Sequence, residues 1–167
     1  RPRARPPSRM KDLADTPAYV MSVAQGTSTE GENLSSYNRE VISKLPEMEL
    51  MGRELFRVGG IGPEDISVAQ LDDRFAPLVP MQLEALGFCG AGEGADFCEG
   101  GDALRLGGRL AMNTNGGFLG EGFSHGANVI EAVRQIRGTS PNQVNGAELV
   151  LVATGAGGPA DGLILRK

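Results

Sequence analysis

Residues 112–138 read MNTNGGFLGEGFSHGANVIEAVRQIRG, a glycine-dense segment that gives way to an amphipathic run. Glycines at 116, 117, 120, 122 and 126 favour tight turns and close approach of backbone to a neighbour. From Asn128 onward Val129, Ile130, Val133 and Ile136 recur at helical spacing, and Gly138 supplies a stop. A helix over 128–137 is expected, with Ser124 placed to cap it.

Working outward, residues 147–154 and 162–165 read as strands joined by the turn GAGGPADG. Upstream, AYVMSVA over 18–24 reads as a buried strand. Pro46, Glu47 and Glu49 open a helix with Leu50, Met51, Leu55 and Val58 on one face, stopped at Gly59-Gly60. Residues 66–71 form a second strand. Residues 75–86 form a second helix disturbed at its start by Pro77 and Pro80. Residues 87–111 hold eight glycines and both cysteines and read as a long excursion. The order β, α, β, α, loop, α, β, β predicts an α/β layered domain with a mixed sheet over 16–167. The basic, proline-rich segment RPRARPPSRMK at 1–11 is expected to belong to a disordered tail over 1–15.

Composition narrows the function. The chain has 167 residues, 40% hydrophobic and 22% charged, enough for one domain with a real core. Its formal charge of −5 argues against a phosphate-neutralising surface, so no nucleic-acid partner is expected. The apolar run at 147–153, broken by Glu148, falls far short of the roughly 20 residues of a membrane span. Cys89, Cys98 and His125 are too few to make a zinc site, and reduced thiols with no apolar leader suggest a cytoplasmic protein. Gly122-Phe123-Ser124-His125-Gly126 matches G-x-S-x-G, but no strand precedes it and the sole histidine is the serine's neighbour, so a nucleophile elbow is not expected. Residues 155–160 match G-x-G-x-x-A without a following helix to receive a pyrophosphate. Asp72-Asp73 lies at a strand-to-helix junction and reads either as a solvated cap or as a carboxylate for proton transfer. His125, at a helix start, is disfavoured as a cation and suits a hydrogen bond to a reacting carbonyl.

The segment 112–138 resembles the thiolase superfamily, with its N-x-N-G-G phrase, glycine-rich loop and helix. ISVAQLDDRFAPLVPMQLEALGFC at 66–89 resembles the strand and helix carrying the N-E-A-F motif, and AELVLVATGAGG at 147–158 resembles the last catalytic strand and turn. The phrases MQLEALGFC and HGANVIEAVRQIRG look like the lipid-transfer-protein branch, which groups sterol-carrier-type thiolases with thiolase-like aldolases. The resemblance implies a thiolase-like layered α-β-α half-domain, the C-terminal half of the fold. By position, Asp72 falls at the Asn of N-E-A-F and Phe123 at the His of G-H-P. The second thiolase cysteine would lie near Ala153 or Thr154, where none stands.

In the aldolase branch tyrosines occupy the positions of Asp72 and Phe123. The resemblance therefore implies Asp72, His125 and Phe123 as catalytic positions, Phe123 being unable to ionise. Asn115, Gly116, Gly117, Gly155 and Gly157 are implied as substrate-binding, with Asp72 as base in a dry pocket and His125 with backbone N–H groups of Gly116, Gly117 or Gly155 on the thioester oxygen. No cofactor or metal is implied beyond a coenzyme A thioester as substrate. Implied partners are the N-terminal thiolase half or a complementary subunit, a homo- or hetero-oligomer, and an OB-fold/zinc-ribbon acyl-CoA-binding protein. The expected activity is retro-aldol or thiolytic cleavage of a lipid or steroid side-chain acyl-CoA. The alternative is a non-catalytic thiolase-fold subunit for assembly or acyl-CoA binding.

Overall fold

The structure is a computed structural model that describes residues 15–28, 41–122, 125–155 and 157–167, the side chain of His125 excepted. The expected tail, apart from Asp15, lies outside the described residues, as do Phe123, the expected cap Ser124 and Ala156.

Among the described residues five strands form one mixed sheet. They are β1 (Tyr19–Gly26), β2 (Val68–Gln70), β3 (Ala111–Met112), β4 (Leu149–Thr154) and β5 (Ala160–Arg166), in spatial order β1-β5-β4-β2-β3. β5 runs antiparallel to both β1 and β4, whereas β2 is parallel to both β3 and β4. Alternation along β4 splits the core: Leu151 and Ala153 join one apolar cluster, Val150 and Val152 the other. Helices α1 (Pro46–Gly59) and α2 (Leu78–Ala85) cover the first face, and α5 (His125–Arg137) covers the second. This is the expected layered α-β-α half-domain.

Several local expectations change. In α1 the buried stripe is Met48, Met51, Gly52, Leu55 and Phe56, while Leu50 and Val58 point outward. The spacing i, i+3, i+4, i+7, i+8 selects one face, and Leu50 and Val58 fall off it. Gly60, at φ 66°, caps this helix. Phe75 and Ala76 lie in a turn before α2, which starts only after Pro77. The excursion at 87–111 contains α3 (Gly94–Cys98), and the glycine-rich stretch before α5 contains α4 (Gly117–Glu121). At Gly26 an added Cβ would overlap Glu47 O and lie 2.7 Å from Met51 N, so α1 sits directly on the end of β1.

The second sheet face is only half covered. Val20 and Val23 of β1 are 63% and 62% exposed, and Val129 and Ile130 of α5 are 37% and 53% exposed. Between them runs a groove of about 600 Å³ lined in part by Val23, Val129, Val152 and Leu163. The uncovered apolar surface of α5 is thus confined to its outer side, since Ile136 is buried against the chain's own sheet.

Candidate functional site

The carboxyl ends of the three mutually parallel strands β2, β3 and β4 open on one edge of the sheet, where α/β proteins commonly bind ligands. Gln70 pairs in register with Val152, which brings the 71–76 segment level with Thr154 and the turn after it. The 113–117 segment follows β3 on the other side. The first turn of α5 closes the group, because Asn115 Nδ2 donates to Asn128 Oδ1 at 3.3 Å. Asp72, Asn115, Gly116, Gly117 and Gly155 therefore converge on one edge with the start of the helix that carries His125.

The aspartate pair is not a solvated cap. Asp72 is fully buried, and its carboxylate accepts from Arg74 Nε at 2.9 Å, from Arg74 Nη2 at 2.5 Å and from the Arg74 backbone N–H at 3.2 Å. Gln82, a polar residue on the buried side of α2, holds the Asp72 backbone. Its Oε1 accepts the Asp72 N–H at 3.1 Å, and its Nε2 donates to the Asp72 C=O at 2.6 Å. These two bonds do what a neighbouring strand would do and fix where Asp72 leaves the sheet. Asp73, also buried, points the other way, and its Oδ1 accepts the Phe118 N–H at 2.8 Å at the start of α4.

The turn is similarly pinned. Asn113 stands at φ 48°, its N–H donates to Ala69 O at 2.9 Å and its Oδ1 accepts from Leu71 N at 2.8 Å. The N–H of Gly116 donates to Asn113 O at 2.8 Å, and that of Gly117 to Asn115 Oδ1 at 3.1 Å. These two groups, expected as donors to a thioester oxygen, are already committed to shaping the turn. Gly155 and Gly157 both adopt φ 88°, and the Gly155 C=O accepts the Gly158 N–H at 3.1 Å in the turn joining β4 to β5. Beside the edge lies a recess of about 300 Å³ lined by Arg74, Phe75, Phe118 and Leu119, with Phe75 and Leu119 largely exposed.

Sequence reading misses Gln82, Arg74 and Asn113. A glutamine inside an otherwise apolar helical face is the readable sign for the first. Asn113 opens the N-x-N-G-G phrase, and nothing local marks Arg74.

The two thiols stand apart from this edge, in the excursion after α2. Burial pushes the Cys89 thiol up from its ordinary value, with Glu84 and Glu93 adding to the effect, and burial alone raises Cys98. A raised thiol holds less thiolate at neutral pH. Alkylation by iodoacetamide near pH ~8 should therefore run several-fold slower in the folded protein than in the denatured chain, and climb as pH passes about 9. Equal rates folded and denatured, followed by mass spectrometry, would contradict the assigned environment.

Residues 26–163 match the thiolase C-terminal domain-like family. The chain is 48% identical over 159 residues to 17-hydroxy-3-oxo-4-pregnene-20-carboxyl-CoA lyase of Mycobacterium tuberculosis, covering 95% of this chain and 41% of that protein. It is likewise 48% identical over 158 residues to the steroid side-chain-cleaving aldolase of Thermomonospora curvata, covering 94% and 40%. Among solved structures, one described as an Ltp2-ChsH2(DUF35) aldolase superposes with a TM-score of 0.89 at 46% identity, over 96% of this chain and 42% of that one. The chain thus spans about two-fifths of the length of these relatives. With the mixed sheet, the N-x-N-G-G turn and the α5 helix in place, this chain belongs to the thiolase C-terminal domain-like family.

Proposed function

We propose that this chain is the C-terminal half-domain of an enzyme assembly that cleaves a carbon–carbon bond in the side chain of a lipid or steroid acyl-CoA. The retro-aldol route is preferred over thiolysis. The observation that carries the reading is the meeting of the Asp72–Arg74 pair, the 113–117 turn and the start of α5 on one parallel-strand edge. The identity to two enzymes that are named for such chemistry supports the substrate class. Ala153 and Thr154 at the end of β4, and two thiols held up by burial elsewhere, leave this half without a thiol for Claisen chemistry.

In a retro-aldol step a base takes the proton from the β-hydroxyl, the Cα–Cβ bond breaks, and its electron pair passes to the thioester as an enolate. A carbonyl product leaves and the enolate is protonated to a shortened acyl-CoA. Asp72 is assigned as the base, which requires Arg74 to yield one of its two side-chain contacts when substrate arrives. His125 and the N–H of Gly155 are assigned to the thioester oxygen, since those of Gly116 and Gly117 are spent. Asn115 and Gly157 are assigned to shaping the floor of the same site, and Phe123, unable to ionise, takes no part in the proton transfer.

The exposed apolar strip of β1 and α5 supports a partner surface for an N-terminal thiolase half, as a linked domain or a separate subunit. The likeness to the Ltp2-ChsH2(DUF35) aldolase, named for two components, supports a heteromeric assembly. The reading extends to an OB-fold/zinc-ribbon acyl-CoA-binding partner in the cytoplasm.

One observation favours a second reading. Both oxygens of Asp72 are engaged by Arg74, as suits a non-catalytic thiolase-fold subunit that serves assembly or acyl-CoA binding. Native mass spectrometry of the reconstituted assembly, followed by assay on a β-hydroxyacyl-CoA, separates the two. The expected products are one shortened acyl-CoA and one carbonyl compound in equal amounts. No turnover with every subunit present would leave the second reading standing.

A further inference from the structure

The buried face of α5 is not wholly apolar. Asn128, Glu131 and Gln135, spaced i, i+3 and i+7, are each at least 98% buried and form a polar stripe beside the apolar Ala132 and Ile136. Burying a carboxylate in such a stripe is costly unless its oxygens are well served, and an apolar stripe would pack with no such cost. Glu131 meets that cost with three donors on Oε1: Thr114 Oγ1 at 2.6 Å, Ser140 Oγ at 2.7 Å and Gln135 Nε2 at 2.9 Å.

Thr114 is the central residue of the 113–115 segment. Its hydroxyl donates to Glu131 and accepts from Gln70 Nε2 at 3.0 Å and Gln135 Nε2 at 3.1 Å, so its one proton and both lone pairs are used. Its C=O accepts from Asn142 Nδ2 at 2.7 Å. The stripe therefore ties α5, the end of β2 and the 140–144 loop to the middle of one turn. The residues on either side of Thr114 hold the turn in place, Asn113 accepting the Leu71 N–H and Asn115 the Gly117 N–H, and the next residue, Phe118, donates its N–H to Asp73.

We infer that Glu131 is a positioning residue for the candidate site: by clamping the Thr114 hydroxyl it fixes the 113–118 turn against the aspartate-bearing end of β2. Its kinetic consequence rests on the proposed cleavage reaction, whereas its structural claim stands without it.

The test uses the reconstituted assembly with Glu131→Gln, Thr114→Val and Thr114→Ser. Two quantities are read: amide hydrogen exchange at 115–118, and kcat and KM on a β-hydroxyacyl-CoA. Glu131→Gln and Thr114→Val should speed exchange at the turn by about tenfold or more. They should lower kcat by about 10–100-fold with KM held within about twofold, as expected when reacting groups are displaced without loss of substrate contacts. Thr114→Ser keeps the hydroxyl and should restore both readouts. The Glu131→Gln/Thr114→Val double variant should lose less than the sum of the two singles, because both break the Glu131–Thr114 bond while each also disturbs bonds of its own.

Unchanged exchange in Thr114→Val overturns the inference, even if Glu131→Gln fails to fold. So does a loss of kcat that follows melting temperature and is not recovered by Thr114→Ser. A wild-type assembly without turnover sinks the cleavage reading alone and leaves exchange to decide the clamp.

Discussion

Gly117→Ala should lower stability by about 2–5 kcal/mol and abolish most of the turnover of the assembly. Gly117 opens α4 at φ 63°, where a side chain costs about 1–2 kcal/mol. Its added Cβ would overlap Asp73 Oδ2 and stand 2.8 Å from Asn113 Nδ2, both of them buried. Asp73 is buried and holds the Phe118 N–H through its other oxygen, so a carboxylate pushed aside by the new Cβ must lengthen or break that bond. A buried donor left without a partner adds about 1–3 kcal/mol. At about 2–4 °C per kcal/mol for a domain of this size, melting should fall by roughly 4–20 °C. Turnover should drop by about a hundredfold, the scale of an ångström-sized misplacement at a reacting centre. Gly120→Ala, three residues on in the same short helix with open space around its Cα and no positive φ, should change stability by less than about 0.5 kcal/mol. A Gly117→Ala protein that melts with the wild type would show that the turn and Asp73 are not coupled.

The same contact explains what is legible in the sequence and what is not. α1 and α5 announce themselves by periodicity and by stop signals at Gly60 and Gly138, and β4 by its apolar run, because these features are local. α4 does not, since the carboxylate that receives its Phe118 N–H lies 45 residues away on Asp73. Reading Asp72-Asp73 as a junction is right about place and wrong about solvent. Neighbouring residues at a strand end point apart, and here one turns to Arg74 and the other to α4.

In α5 the apolar residues at 129, 130, 133 and 136 suggest a single buried face. The structure divides them: Ile136 packs on the chain's own sheet, while Val129 and Ile130 face outward. The face turned to the sheet carries Asn128, Glu131 and Gln135, polar residues that a hydrophobicity pattern assigns to solvent. Family resemblance locates the edge of the sheet where the candidate residues meet, but it assigns the Gly116 and Gly117 N–H groups to a ligand when the turn itself consumes them.

Asp72→Asn in the reconstituted assembly is expected to remove about 10²–10⁴ of the turnover, the usual contribution of a positioned general base, while acyl-CoA binding persists. The substitution keeps shape and leaves an oxygen for one Arg74 donor, but the new amide presents N–H groups to a guanidinium that has only donors. The structural cost is about 1–3 kcal/mol from the lost charge-assisted bond, reduced because Arg74 is 30% exposed and water can take over part of its solvation. Gln82 holds the Asp72 backbone through two bonds that do not involve the carboxylate, so the variant side chain should stay where the native one lies. A fall in turnover beyond a hundredfold, with melting lowered by only a few degrees, therefore reports on proton transfer and not on a displaced strand end. Turnover equal to wild type would remove Asp72 from the chemistry, leave the Asp72–Arg74 pair as an anchor for the 71–76 segment, and pass the base to a residue of the complementary half.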